Sequence, residues 1–338
     1  MENVKVAVIG ISGNIGQETL KILAEHAILP KQIVALAPKE EVAHEVSYGE
    51  DDVLKVTPLE NFDFSTVDIA LFCAEEKTSA DFAEKVAATG CVVIDGSHHF
   101  RMDPDVPLIV PEVNVDNLAQ YARKNIISIP SDSTTQILVA LKPLHDLATI
   151  KRLVISTYQS VSSVGRAAMD ELFAQTRSIY ANQHLSKENF KKQIAFNVIP
   201  HIGNFMEDGT TQEEWNIALE IKKVLDPKIK VTATCVRVPV FIGHAHSVNI
   251  EFEHDISAPQ ALQALKNAQG VTVIDYKHEE GFVTPMESAG EDPIYVSRIR
   301  EDMTLENGLN IWVVGDNLRK GAALNTVQIA QALAKDFL

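Results

Sequence analysis

The segment VKVAVIGISGNIGQETLKILAEHA, residues 4–27, decides the fold. Its opening VKVAVIG is a short apolar run rich in β-branched residues, the pattern of a buried strand. The following QETLKILAEHA sets Leu20, Ile22, Leu23 and His26 at helical spacing. Between them Gly10, Gly13 and Gly16 form G-x-x-G-x-x-G, a close relative of the dinucleotide fingerprint. Glycines there let a backbone turn approach a pyrophosphate held at a helix N-terminus. A plain strand-to-helix turn that needs glycine for positive φ is the other reading of the same residues. A place at the first strand of a βαβ array favours nucleotide binding, with Gly10, Ser12, Gly13, Asn14, Ile15 and Gly16 as candidate cofactor contacts.

Working outward, QIVALA, VDIALFCA and CVVIDGS are further buried-strand candidates, and SADFAEKVAATG is a helix that stops at a glycine. This alternation predicts an α/β fold with a doubly wound, mostly parallel sheet. The acidic KEEVAHEVSYGEDD reads as a solvated antiparallel excursion or loop. From about Ser131 the rhythm changes. Helical stretches (TTQILVALKPLHDLA, GRAAMDELFAQTRSIY, TQEEWNIALEIKKVL) mix with strands of antiparallel character (KRLVISTYQ, VTATCVRVPVFIG, HSVNIEFEH, LNIWVVGD), which predicts an α+β second domain. The expected division is a Rossmann-like domain of residues 1–130 with 317–338, the last helix packing back on it, and a second domain of residues 131–316.

The 338 residues carry a net charge of −16, which argues against nucleic acid or an anionic membrane as the main partner. No run approaches the ~18 apolar residues of a membrane helix. Cys73, Cys91 and Cys235 show no CxxC spacing and no disulfide framework, so the expected compartment is the reducing cytoplasm. The start MENVKVAVIG enters a strand at once, without the basic and apolar regions of a signal peptide.

Several stretches carry residues with chemical potential. IPSDSTTQILVALKPL, residues 129–144, is a strand end, a turn and a helix start, and places Ser131, Asp132 and Ser133 where a helix N-terminus concentrates positive potential. Ser131 or Asp132 is positioned to cap that helix, and Ser133-x-x-Gln136 has the spacing of a capping box. DGSHHFRM holds Arg101, a fork for phosphate or carboxylate or else a salt-bridged residue; His98 and His99, adjacent on a strand, would point opposite ways and make a poor metal pair. Gln159 ends a strand before a Ser- and Gly-bearing loop, where it would orient an oxyanion or make a loop hydrogen bond. Glu220 and Lys223 are an i, i+3 pair on one helix face. Arg237 and His244, seven residues apart, are placed to line one cleft, with His244 as acid/base or as a structural histidine. After the second strand, a dinucleotide site wants an acid for a ribose hydroxyl or an Arg/Ser pair for a 2′-phosphate. The sequence there is Ala37-Pro38-Lys39-Glu40-Glu41, where Lys39 suits a phosphate and the glutamates oppose it. Glu75-Glu76 would likewise repel a cofactor phosphate, or else belong to a solvated loop.

Taken in order, VAVIGISGNIGQ, VVIDGSHHFRMDPDVPLIVPEVN, ALKPLHD, STYQSVS, MDELFAQT, QIAFNVIPHIG, TCVRVPVFIGH and DNLRKGAALNTVQIAQAL resemble the aspartate-β-semialdehyde dehydrogenase family over nearly the whole chain. The resemblance implies a homodimer with a Rossmann-like cofactor domain and an α+β substrate and dimerisation domain. It implies NADPH-dependent reduction of β-aspartyl phosphate to the semialdehyde through a cysteine thioester, in the pathway to lysine, threonine and methionine. The family writes that cysteine in P-N-C-x-T; the matching Pro130-Ser131-Asp132-Ser133-Thr134 has Asp132 at the nucleophile position. By the same resemblance Gln159 orients the intermediate and Arg237 holds the substrate carboxylate. Glu220 takes its amino group, Arg101 and Lys223 bind phosphate, and His244 is the acid/base. Gly165 and Asn317, the latter near the nicotinamide, complete the NADP contacts. The family's Ser-x-Arg-Ser is Ala37-Pro38-Lys39-Glu40, its Gly-Gly is Glu75-Glu76, and its Ser-Gly-x-Gly is Ser162-Ser163-Val164-Gly165. The expectation is a member lacking the ordinary reaction that binds an amino-acid-like metabolite or acts as a regulatory dimer. An active enzyme with an unorthodox nucleophile or direct hydride transfer, and a non-redox enzyme with Asp132 as base, are the rivals.

Overall fold

The computed structural model describes residues 1, 4–39, 45–278 and 280–338. It divides into two compact units, residues 1–131 with 322–338 and residues 132–321. These boundaries differ by one residue at Ser131 and by five near the C-terminus from the division expected above.

In the first unit the strands are β1 (Val6–Ile9), β2 (Ile33–Ala37), β3 (Glu45–Tyr48), β4 (Asp52–Pro58), β5 (Ile69–Phe72), β6 (Val92–Asp95) and β7 (Ile126–Ser128). They order β3-β4-β2-β1-β5-β6-β7, and every pairing is parallel except β3 with β4. The helices are α1 (Asn14–Glu25), α2 (Glu76–Ala87), the single turn α3 (Pro111–Asn114) and, from the chain's end, α9 (Leu324–Asp336). β1, β5 and β6 are buried along their whole length because both sheet faces are covered. Alternate residues feed two cores. Val6, Val8, Ile69, Leu71 and Ile94 pack with Leu20 and Leu23 of α1 and with Leu324, Val327, Ala330 and Leu333 of α9. Ala7, Ile9, Ala70, Phe72 and Val93 pack with Ala83, Val86 and Ala87 of α2. The acidic excursion contains the antiparallel β3–β4 pair; Glu40, Glu41 and the rest of residues 40–44 lie outside the described residues.

The second unit contains α4 (Asp132–Ala148), β8 (Ile150–Gln159), α5 (Arg166–Tyr180), α6 (Gln212–Val224), β9 (Lys230–Arg237), β10 (His244–Phe252), α7 (Ala258–Lys266), β11 (Val271–Val273), the turn α8 (Pro285–Ser288), β12 (Ile294–Glu301) and β13 (Gly308–Gly315). Its sheet orders β11-β12-β13-β10-β8-β9. The sheet is mixed rather than antiparallel: β8 with β9 and β11 with β12 run parallel. The reason is the connection, since α5 and α6 lie between β8 and β9 in sequence and a helical crossover returns the chain in the same direction. α4 packs on β8, β10 and β13, and residues Ser133–Leu141 are buried without interruption, as in a helix enclosed on all sides. Among the described residues no helix is long and apolar enough to cross a membrane.

Candidate functional site

Strand direction builds the site of the second unit. β8 and β9 run parallel with Gln159 beside Arg237, so their carboxyl ends share one edge of the sheet. β10 runs antiparallel to β8 and begins at that edge with His244, which faces Gly315 at the end of β13. α4 starts at the same edge with Asp132. Three strand ends and one helix start therefore bring Gln159, Arg237, His244 and Asp132 together.

Asp132 is the first helical residue of α4. Its Oδ1 accepts the Ser133 N–H at 2.8 Å and its Oδ2 lies 3.1 Å from His244 Nε2. That second contact is close but out of line for a good hydrogen bond. Burial opposes ionisation of Asp132, but the His244 ring, the Ser133 N–H and the Arg237 guanidinium outweigh it and hold the carboxyl well below the usual range. A Cβ at Gly321 would lie 2.8 Å from Asp132 Cβ, so the segment after β13 passes the carboxylate only because that residue is glycine.

His244 is fully buried. Its Nδ1 accepts the Ser160 N–H at 3.0 Å, and since a backbone amide only donates, the neutral ring carries its proton on Nε2, toward Asp132. Nδ1 is thereby engaged, while Nε2 faces Asp132 without a well-aligned hydrogen bond. Asn317 braces this arrangement: its Oδ1 accepts the Gly243 N–H at 2.9 Å and the hydroxyls of Ser160 and Ser162 at 3.1 Å each. Asn317 is 1% exposed. Gly165 precedes α5 at φ 110°, ψ 179°, a conformation that suits glycine alone, and nothing lies within 4 Å of the place its Cβ would take.

Arg237 donates from one terminal nitrogen to Ser160 O at 2.7 Å and to Ser163 Oγ at 2.5 Å. Burial lowers its pKa, while the charges of Asp132 and Glu213 act in the opposite sense. Gln159 donates to Glu213 Oε1 at 3.0 Å. Glu213 is thus the α6 carboxylate bonded to Gln159, whereas the sequence singled out Glu220 on the same helix. The two share a helix face, being seven residues apart, but Glu220 lies about 10 Å further along the axis, and Lys223 about 15 Å. A signal for Glu213 was present in the sequence: Thr211 and Glu214 form a capping box that starts α6 there, which puts Glu213 in the first turn. The capping box expected at Ser133 and Gln136 does not form. Gln136 instead donates to Gly315 O at 3.1 Å and pairs with His246 Nε2 at 2.9 Å.

Burial raises all three cysteine thiols. Burial pushes Cys91 up to about 12 and Cys73 up to about 11, the latter also by the charge of Asp95. Cys235, on β9 two residues before Arg237, is raised by burial and then by Glu213.

In the first unit the glycine loop is sterically demanding. Gly10 has φ +83°, and a Cβ there would stand 2.5 Å from Cys73 O; a Cβ on Gly16 would stand 2.2 Å from Gly10 O. Gly13 is exposed at the N-cap of α1, which has no side-chain cap and no acid in its first turn. Ser12 is also exposed, and Asn14 and Ile15 are half-buried. A backbone cradle at an uncapped helix start fits a pyrophosphate. Glu75 and Glu76 are exposed at the start of α2, where carboxylates favour the helix. Arg101 is 7% exposed; its Nε donates to Ile129 O at 2.9 Å and a terminal nitrogen to Gly96 O at 3.0 Å, which fastens the turn after β6. His98 and His99 lie in that turn and not on a strand, and His98 Nδ1 is 3.0 Å from Arg101. Among the described residues no cluster of three or more metal-ligating side chains occurs.

Residues 5–121 match the family model for the semialdehyde dehydrogenase NAD binding domain, and residues 141–320 that for the semialdehyde dehydrogenase dimerisation domain. The chain belongs to the aspartate-semialdehyde dehydrogenase family. It is 48% identical over 333 residues to the aspartate-semialdehyde dehydrogenase of Rickettsia bellii, covering 98% of each chain. It is 45% identical over 337 residues to that of Aquifex aeolicus, covering 99% of each. Among solved structures, aspartate semialdehyde dehydrogenase II of Vibrio cholerae matches with a TM-score of 0.95, at 41% identity and 99% coverage of both chains. The same enzyme complexed with ASA matches with a TM-score of 0.96.

Proposed function

We propose that this family member is a homodimer that binds the amino-acid-like substrate and a nicotinamide dinucleotide but does not catalyse the thioester-dependent reduction. The observation that carries this reading is the Asp132 carboxylate 3.1 Å from His244 Nε2, at the position where the family resemblance places a thiolate. Reduction through a thioester needs a soft nucleophile that expels phosphate and leaves an acyl group able to accept hydride. An ionised carboxylate is a weak nucleophile, and its charge opposes the approach of an anionic acyl phosphate. His244 Nδ1 accepts from Ser160 and its Nε2 faces the Asp132 carboxylate, which would compete with a leaving group or an alkoxide for that proton.

Binding needs less than catalysis. Arg237 is the cation for a substrate carboxylate, Glu213 the anion for its ammonium group, and Gln159, tied to Glu213, orients the rest. In the first unit the loop Gly10–Gly16 would hold the dinucleotide pyrophosphate; when bound, the nicotinamide ring supplies hydride chemistry. The family's dimerisation domain in residues 141–320 supports the homodimer. The depressed Asp132 carboxyl disfavours a non-redox enzyme with Asp132 as general base, because that role wants a pKa raised toward neutrality.

The test is phosphate-dependent NAD+ and NADP+ reduction with L-aspartate-β-semialdehyde, using protein from a host without its own enzyme and Asp132→Cys alongside. A silent wild type beside an active cysteine variant is the expected result. Wild-type turnover that disappears in Arg237→Ala would overturn the proposal and favour a mechanism with another nucleophile.

A further inference from the structure

Ligands of a doubly wound sheet sit outside the carboxyl ends of its parallel strands, and the adenosine ribose is met at the end of the second strand. Here β2 ends at Ala37, which pairs with Pro58 at the end of β4. Because β4 runs parallel to β2, the turn after β4 opens on the same edge, and that turn carries Glu60. Glu60 Oε1 accepts the backbone N–H of Lys39 at 3.1 Å. An exposed carboxylate is thereby fixed beside the second residue past β2. Lys39 is the one cation in residues 37–39, and its own backbone is held by Glu60.

We infer that Glu60 makes this chain select NAD(H) against NADP(H), by accepting from the ribose hydroxyls and repelling a 2′-phosphate. A phosphate monoester carries about −1.5 to −2 charges near neutral pH. One carboxylate beside one lysine whose backbone it holds gives it no net positive partner. NAD(H) brings neutral hydroxyls to the same place, and these donate to a carboxylate. The inference rests on the cofactor half of the proposed function. It goes beyond it by naming the cofactor class and the selecting residue.

The experiment is a binding titration of the purified full chain with NADH and with NADPH, followed by calorimetry at low and at moderate salt. NADH should bind at least about tenfold more tightly than NADPH, as like-charge juxtaposition requires. The gap should narrow as salt screens the exposed charges. Glu60→Gln keeps an oxygen for the Lys39 N–H and removes only the charge, so it should fold normally and move the ratio severalfold toward NADPH. Equal or tighter NADPH binding by the wild type overturns the assignment of specificity alone. So does a ratio unmoved in Glu60→Gln, which would leave Glu60 as a turn residue. Failure of both dinucleotides to bind overturns the assignment together with the cofactor half of the proposed function.

Discussion

Asp132→Asn tests whether the carboxylate at the start of α4 is a structural counterion. The substitution keeps the shape and an oxygen for the Ser133 N–H, and removes the negative charge 3.1 Å from His244 Nε2 and within electrostatic reach of Arg237. Removing one member of a buried charged pair costs about 3–5 kcal/mol, because the buried Arg237 guanidinium is left without that counter-charge. The Asp132 side chain keeps 18% of its exposure, which places the expected loss at the low end, about 3 kcal/mol at pH 7. For a unit of this size that lowers the melting temperature by about 6–12 °C. The pH dependence follows from linkage. The folded carboxyl titrates below its unfolded value of about 3.9, so the unfolded chain binds the proton first as the solution is acidified. The stabilisation is complete above about pH 5 and is lost as pH falls through and below the unfolded value toward the folded one. Urea unfolding of wild type and variant at pH 7, 5 and 3.5 should show a gap that is constant between the first two and smaller at the third. An equal gap at all three, or a more stable variant at pH 7, would refute the reasoning.

Two further substitution pairs separate binding from packing. Glu213→Gln should weaken binding of an amino-acid ligand by about tenfold or more in calorimetry with little change in melting temperature, because it removes a charge beside Gln159 and Arg237. Glu220→Gln, at a position only 1% exposed, should instead lower stability by about 1–3 kcal/mol and leave ligand affinity within about twofold. Gly16→Ala should destabilise the first unit by about 1–3 kcal/mol or more in urea unfolding, since its Cβ would meet Gly10 O at 2.2 Å. Gly13→Ala meets only Gly10 O, at 3.6 Å, and should unfold within about 1 kcal/mol of wild type.

The first unit was legible in the sequence because burial on both sheet faces writes β1, β5 and β6 as unbroken apolar runs, and because Gly10 and Gly16 mark the turn between β1 and α1. The second unit was legible by element and not by direction. Residue alternation along β8 and β9 is the same whether neighbours run parallel or antiparallel, and only the crossover through α5 and α6 settles it. That direction brings Gln159 and Arg237 side by side. Glu213 was hidden by its helix: it shares a face with Glu220, and periodicity fixes the face without the height at which the sheet edge crosses it. Gln136 was misread for a different reason. Its spacing from Ser133 is local, whereas its partners Gly315 and His246 are remote in sequence and win the side chain.

The return of α9 to the first unit sets an order of events during synthesis. Val6, Val8, Ile69 and Leu71 lie in one core with Leu324, Val327, Ala330 and Leu333, and His26 on the α1 side bonds Gln331 at 2.7 Å. A ribosome that has just finished Ser131 has made every strand of that sheet and none of the helix that covers part of one face. All of residues 132–321 must emerge first, roughly 10–40 s of elongation at ordinary rates. During that interval the nascent sheet offers an apolar surface to chaperones and to other nascent chains. Loss of residues 322–338 would leave that face uncovered, so a segment far along the chain completes the domain built on β1.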